Sequence, residues 1–139
     1  MADVASIPAW CARYVGLPYA TGGRGPAEVD CWGLFALVWA EQYKRPLPDY
    51  LGALWAAGSD PQEVASSARE YAAQFRRIAP GDEREGDGIL FRMRGHPLHL
   101  ALVVTPGLML HVEDGLESCI EPYRTFQWER RIIDFYRYE

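Results

Sequence analysis

Residues 31–43 read C-W-G-L-F-A-L-V-W-A-E-Q-Y, a run that is apolar nearly all round and broken only by Gly33. A helix of this kind has no polar face to turn to water, so it has to pass through the interior with other elements packed around it. Just before it, residues 17–30 read L-P-Y-A-T-G-G-R-G-P-A-E-V-D, where Pro18, Gly22, Gly23, Gly25 and Pro26 interrupt any regular element. The chain thus delivers one cysteine, Cys31, to the point where a loop becomes a buried helix.

The first turn of a helix leaves backbone N–H groups unpaired and carries about half a positive charge, which favours thiolate over thiol. Thiolate is the nucleophilic form, and a rigid helix holds it in place. The competing reading is that Cys31 is a small buried hydrophobe, the usual fate of a free cysteine.

At 139 residues and 15.7 kDa the chain is expected to form one domain, 1–139, large enough to bury a core without staples. No run approaches the roughly 18 apolar residues of a membrane span, so membrane insertion is not expected. A net charge of −5 argues against nucleic-acid binding, which needs basic patches to neutralise phosphate. Three cysteines, Cys11, Cys31 and Cys119, form no C-x-x-C pair and suit a reducing compartment. The start M-A-D-V-A-S-I-P-A-W lacks the basic and continuously apolar regions of a signal peptide. Synthesis in the cytoplasm is expected, with delivery by another component if the target lies outside.

Residues 7–15 predict a short helix with Ser6 as N-cap, Pro8 in its first turn and Gly16 ending it. Residues 47–59 are ambiguous, with an apolar patch around Leu51, Leu54 and Trp55. Asp60-Pro61-Gln62-Glu63 is a helix start, and that helix is expected to run to about Phe75. After Pro80 the character changes to short β-type runs at 89–93, 99–104, 108–113, 117–120 and 131–138. Helices first and antiparallel strands second describe an α+β domain.

All three histidines, 96, 99 and 111, lie in this second half. His99 opens H-L-A-L-V-V and His111 ends L-M-L-H, with the turn signal T-P-G between them. Side chains alternate faces along a strand, so the connection decides whether the rings meet. A five-residue loop, 103–107, would pair Leu102 with Leu108 and set His99 across from His111; a Pro-Gly turn instead requires a bulge. If they meet, Cys31 is a candidate nucleophile, His99 its base and His111 the orienter of His99. Each histidine alone also reads as a buried residue bonded to backbone. His96, between Gly95 and Pro97, is expected in an exposed loop or at the cleft edge. A zinc site built from His96, His99, His111 and Cys119 is the rival chemistry, but 96 and 99 fall on opposite strand faces and no H-E-x-x-H is present. No metal and no cofactor are expected.

Five motifs occur in order: G-L-P-Y-A-T-G-G at 16–23, D-C-W-G-L at 30–34, G-D-G-I-L-F at 86–91, H-L-A-L-V-V at 99–104 and M-L-H at 109–111. Together they resemble the NlpC-type cysteine peptidases, papain-like peptidoglycan endopeptidases. The resemblance implies a nucleophile at the start of a central helix packed on an antiparallel sheet. It assigns Cys31 as nucleophile, His99 as general base and His111 as third, polar member. It places Tyr19 in the site wall near the oxyanion and Asp30 as an anchor for a muropeptide amine, although Asp30 reads equally as a helix cap. Trp32 stands where most members have serine, and either shapes a narrow substrate site or closes it. Ala101 stands where glycine is usual.

The family usually cleaves between the γ-carboxyl of D-glutamate and meso-diaminopimelate. The D-C-W-G-L form and the ending D-F-Y-R-Y resemble its bacteriophage-tail and gene-transfer-agent branch. The expected function is therefore a tail-tip peptidase that opens the cell wall, with peptidoglycan peptides as substrate and tail-hub or tail-tip proteins as partners. The alternatives are a structural tail-hub subunit with little or no activity and a cytoplasmic enzyme that recycles muropeptides.

Overall fold

The computed structural model describes residues 7–47, 76–93 and 96–138. A short 3-10 helix, Ala9–Tyr14, comes first, followed by α1, Cys31–Gln42. The second half supplies β1 (Arg76–Ile78), β2 (Gly88–Met93), β3 (His96–Thr105), β4 (Leu108–His111), β5 (Cys119–Pro122), a one-turn helix α2 (Phe126–Glu129) and β6 (Ile132–Arg137). Among the described residues the strands form one antiparallel sheet in the order β1-β6-β2-β3-β4-β5. The α+β architecture is the one expected.

The unbroken burial of 99–104 follows from β3's central position with packing on both faces. Leu100, Leu102, Val104 and Leu110 pack in one cluster with Leu34, Phe35 and Val38 of α1. Ala101, Val103 and Met109 face the other way, with Ile89, Phe91, Tyr123, Trp128 and Phe135. Each fully buried side chain of this size contributes about 1.5–3 kcal/mol. The all-round apolar character of α1 has the same cause, since Trp32, Leu34, Phe35, Val38 and Trp39 are all buried. No helix among the described residues is long and apolar enough to cross a membrane.

Several local details differ from expectation. The first helix is 3-10, with Pro8 as an N-cap that makes no side-chain bond. Its buried residues, Cys11 and Tyr14, are three apart, the repeat at which 3-10 side chains align. The strands β1 and the helix α2 were not anticipated, because three residues and one turn are too short to show periodicity. The sheet register also departs from the five-residue loop: Leu102 pairs with Leu110, and a bulge between Val103 and Thr105 brings Thr105 opposite Leu108. The apolar patch around Leu51, Leu54 and Trp55 and the helix at 60–75 lie outside the described residues.

Candidate active site

The loop and α1 are joined by a buried carboxylate. Asp30 is the N-cap of α1, accepting from the Gly33 N–H at 2.6 Å with one oxygen and from the Gly22 N–H at 3.1 Å with the other. Arg24 Nη1 donates to both oxygens, at 3.0 and 3.1 Å. Gly22 holds φ +77°, a left-handed conformation that glycine adopts without a Cβ penalty. Gly33 is needed for a different reason: a Cβ there would lie 1.9 Å from the Gly23 carbonyl oxygen. The loop is pinned again by Asp30 N–H to Gly23 O (3.1 Å) and by Tyr19 N–H to Leu116 O (3.1 Å). Cys31 is therefore presented by a helix start locked on two sides.

The thiol is 8% exposed and is hydrogen-bonded by the backbone of Leu100, the residue after His99. Burial pushes its pKa up from 9.0 to about 12, with the nearby Asp30 carboxylate adding to the rise against the Leu100 contact. The helix-start effect that favours thiolate is outweighed, because desolvation acts on the whole charge and the dipole supplies only a fraction of one. Tyr19 lies within electrostatic reach: burial raises its hydroxyl pKa, and the charges of Cys31 and Asp30 add to the rise.

His99 and His111 do meet, by the bulge rather than the odd loop. The observed register sets His111 across from Ala101, so His99 is its diagonal neighbour on the same face. His99 Nε2 and His111 Nδ1 are 2.9 Å apart, and His111 Nε2 is 2.6 Å from Glu121 Oε2. Trp128, positioned by α2, stacks on His99 (5.7 Å between ring centres, 23° between planes) and meets His111 edge-on (5.0 Å, 87°). Its Nε1–H donates to Glu121 Oε1 at 3.1 Å. The two histidines are 5% and 1% exposed.

This chain of bonds dictates the proton positions. A carboxylate only accepts, so a neutral His111 carries its proton on Nε2 and offers a lone pair at Nδ1. His99 Nε2 must then donate, which leaves His99 Nδ1 unprotonated with its lone pair free. Burial, followed by the charges of His111 and Arg131, lowers the His99 pKa from 6.5 to about 3. The resting pair is a neutral thiol and a neutral imidazole.

The other expected site residues are placed as follows. Trp32 is fully buried in the core cluster of α1 and stacks with Phe35 (6.2 Å, 25°). All the contacts described for the Asp30 carboxylate are those of the cap, the Gly22 N–H and the Arg24 pair. His96 begins β3 across from Met93 instead of lying in a loop. Among the described residues, one metal-compatible group occurs, His111, Cys119 and Glu121, in place of the set weighed from the sequence. Glu121, Trp128 and Arg24 escaped sequence reasoning. Glu121 was discoverable in principle, since pairing His111 with Cys119 across β4–β5 puts it on the histidine's face.

The chain matches the NlpC/P60 family over residues 16–137. Among solved structures it is similar to an NLP/P60-family, lipoprotein-like protein of Staphylococcus aureus, with 20% identity over 98% of this chain and 42% of that one, at a TM-score of 0.66. It is also similar to NlpC1 of Trichomonas vaginalis (18% identity, 91% of this chain, 41% of that one, TM-score 0.68). The NlpC/p60 domain of the peptidoglycan hydrolase SagA aligns over its full length (22% identity, 99% of this chain, 100% of that one, TM-score 0.63). The chain spans less than half the length of the S. aureus and T. vaginalis proteins. No curated protein sequence matches it. The match over 16–137 and the shared sheet-and-helix architecture make this chain a member of the NlpC/P60 family.

Proposed function

We propose that this chain is a cysteine peptidase that hydrolyses peptidoglycan stem peptides, with the D-γ-glutamyl-meso-diaminopimelate bond as its target. The observation that carries the reading is the Glu121–His111–His99 chain of hydrogen bonds, which leaves an unprotonated Nδ1 on the residue next to the one that contacts the Cys31 thiol. In this reading Cys31 Sγ attacks the scissile carbonyl carbon as its proton passes to His99 Nδ1. The transient imidazolium is stabilised through His111 by the Glu121 carboxylate. His99 returns the proton to the leaving amine, giving a thioester. Water then attacks the thioester, with His99 taking its proton and restoring it to the thiol. Tyr19 serves as the wall beside the oxyanion, and Asp30 acts through the helix cap that positions Cys31.

The D-C-W-G-L form supports placement on a phage-like or gene-transfer-agent tail, where tail-hub or tail-tip proteins are the partners and carry the chain to the wall. The test is release of soluble peptides from purified peptidoglycan. Cys31→Ala is expected to abolish it, and undiminished release by that variant refutes the reading. The burial of Cys31 favours one second reading, a docking subunit whose thiol is never used. Tails carrying Cys31→Ala that assemble and infect at the wild-type level would establish it in place of the first.

A further inference from the structure

We propose that His111, Cys119 and Glu121 form a binding site for a zinc-like divalent cation, and that filling it disables His99 as a base. His111 and Cys119 are direct partners across β4–β5, and Glu121 is two residues on from Cys119, on the same face of β5. Their ligand atoms all lie within 4.8 Å of one another. The Cys119 Sγ to Glu121 Oε2 separation is 3.6 Å, and His111 Nε2 to Glu121 Oε2 is 2.6 Å. Tetrahedral zinc with bonds of about 2.0–2.3 Å needs ligand–ligand edges of roughly 3.3–3.8 Å. The nitrogen–oxygen edge has to open by less than about an ångström on that scale, and the nitrogen–sulfur edge, which lies within 4.8 Å, is the one that closes onto the ion. His111 is the fixed point, being fully buried, while Cys119 and Glu121 are partly exposed and free to adjust.

The donor set selects the metal class. One imidazole, one thiolate and one carboxylate suit zinc, whereas calcium and magnesium call for oxygen alone. Three protein ligands leave a fourth position for water. The surroundings are those of a supported site: Trp128 Nε1–H holds the free oxygen of Glu121, and His99 holds the other nitrogen of His111. Cys119 gives up its proton to solvent on binding, and its charge with that of Glu121 neutralises the dication.

The consequence for His99 follows from counting protons. To ligate through Nε2, His111 must move its proton to Nδ1, which then donates to His99 Nε2. His99 keeps one proton, now on Nδ1, the position that has to be empty to receive the proton of Cys31. Both rings stay neutral, so the metal blocks the base without touching it. The inhibitory half rests on the proposed roles of Cys31 and His99; the binding half does not.

Titration of the metal-free protein with cobalt(II) alone reads the binding half. A thiolate-to-cobalt charge-transfer band is expected in the wild type and in Cys31→Ala, and it is expected to vanish in Cys119→Ser and to need at least tenfold more cobalt in Glu121→Ala. Absence of the band, or a band that follows Cys31, overturns the site. Zinc added to the hydrolysis assay reads the second half, each protein being compared with its own metal-free rate. The wild type is expected to lose at least tenfold, recovering on chelation, while Cys119→Ser keeps its rate. Equal zinc inhibition of the two proteins, or none in either, overturns the switch. A wild type inactive even without metal refutes the peptidase reading instead, and the cobalt band still decides the site.

Discussion

Replacing Glu121 by Gln changes no volume but removes one acceptor from a place where two buried donors converge. Glu121 accepts from His111 Nε2 at 2.6 Å and from Trp128 Nε1 at 3.1 Å, and each of those residues is 1% exposed. A glutamine offers one oxygen and one NH2, so whichever way the amide turns, one buried N–H faces another. Stranding a buried donor costs about 1–3 kcal/mol. The Glu121 side chain is 33% exposed, so water offsets part of this and the lower part of the range, about 1–2 kcal/mol, applies. With the amide oxygen on Trp128, His111 has to shift its proton to Nδ1 and His99 becomes protonated at Nδ1. The loss then falls on kcat, roughly tenfold or somewhat more at about 1.4 kcal/mol per decade, with KM little changed. With the oxygen on His111, the orphaned indole lowers Tm by roughly 3–8 °C for a chain of this size. Peptide release from peptidoglycan at saturating substrate and a thermal melt on the same preparation read both channels. A Glu121→Gln protein with wild-type kcat and wild-type Tm refutes the hydrogen-bond chain as the device that sets the tautomer of His99.

Gly33→Ala is expected to destabilise the fold by roughly 2–3 kcal/mol, the upper part of the usual overpacking cost, because its Cβ would sit 1.9 Å from the backbone oxygen of Gly23. Chemical denaturation measures this, and an unchanged midpoint would show that the loop does not lie on α1 as described. His99 makes stability depend on acidity. Its folded pKa, about 3, lies below the unfolded value of 6.5, so the unfolded chain binds the proton first. This contribution is complete above pH 6.5 and is lost as pH falls from 6.5 toward 3, at up to about 1.4 kcal/mol per pH unit. Between pH 7 and 5 the wild type is expected to lose about 2 kcal/mol more than His99→Gln; equal losses in urea titrations would overturn the assignment.

Much of the second half was legible because its cause is local and periodic. H-L-A-L-V-V and G-I-L-F carry buried faces that only a central strand satisfies, and both are strands, at His96–Thr105 and Gly88–Met93. The cap of α1 was legible for the same reason, since Asp30, Cys31 and Gly33 act within one turn. What escaped depends on contacts distant in sequence. Glu121 joins the histidines only through the β4–β5 register, and Trp128 reaches them only because α2 folds back over the sheet. Nothing within residues 108–121 says how a turn of Pro106 and Gly107 will distribute its bulge. The expected Leu102–Leu108 pairing was therefore displaced by two residues while the two rings still met.

By itself, the sequence determined that a buried helix would begin at Cys31 after a glycine-rich loop, and that two histidines would flank a hairpin, because caps, breakers and alternation are properties of neighbouring residues. The tertiary structure alone decided the protonation of the thiol, which burial and the Asp30 carboxylate outweigh the helix start to set, and the place of Trp32 inside the core. It also decided that a glutamate ten residues past His111 would hold that histidine's proton. These outcomes depend on desolvation and on through-space distance, which arise only when segments far apart in the chain pack together.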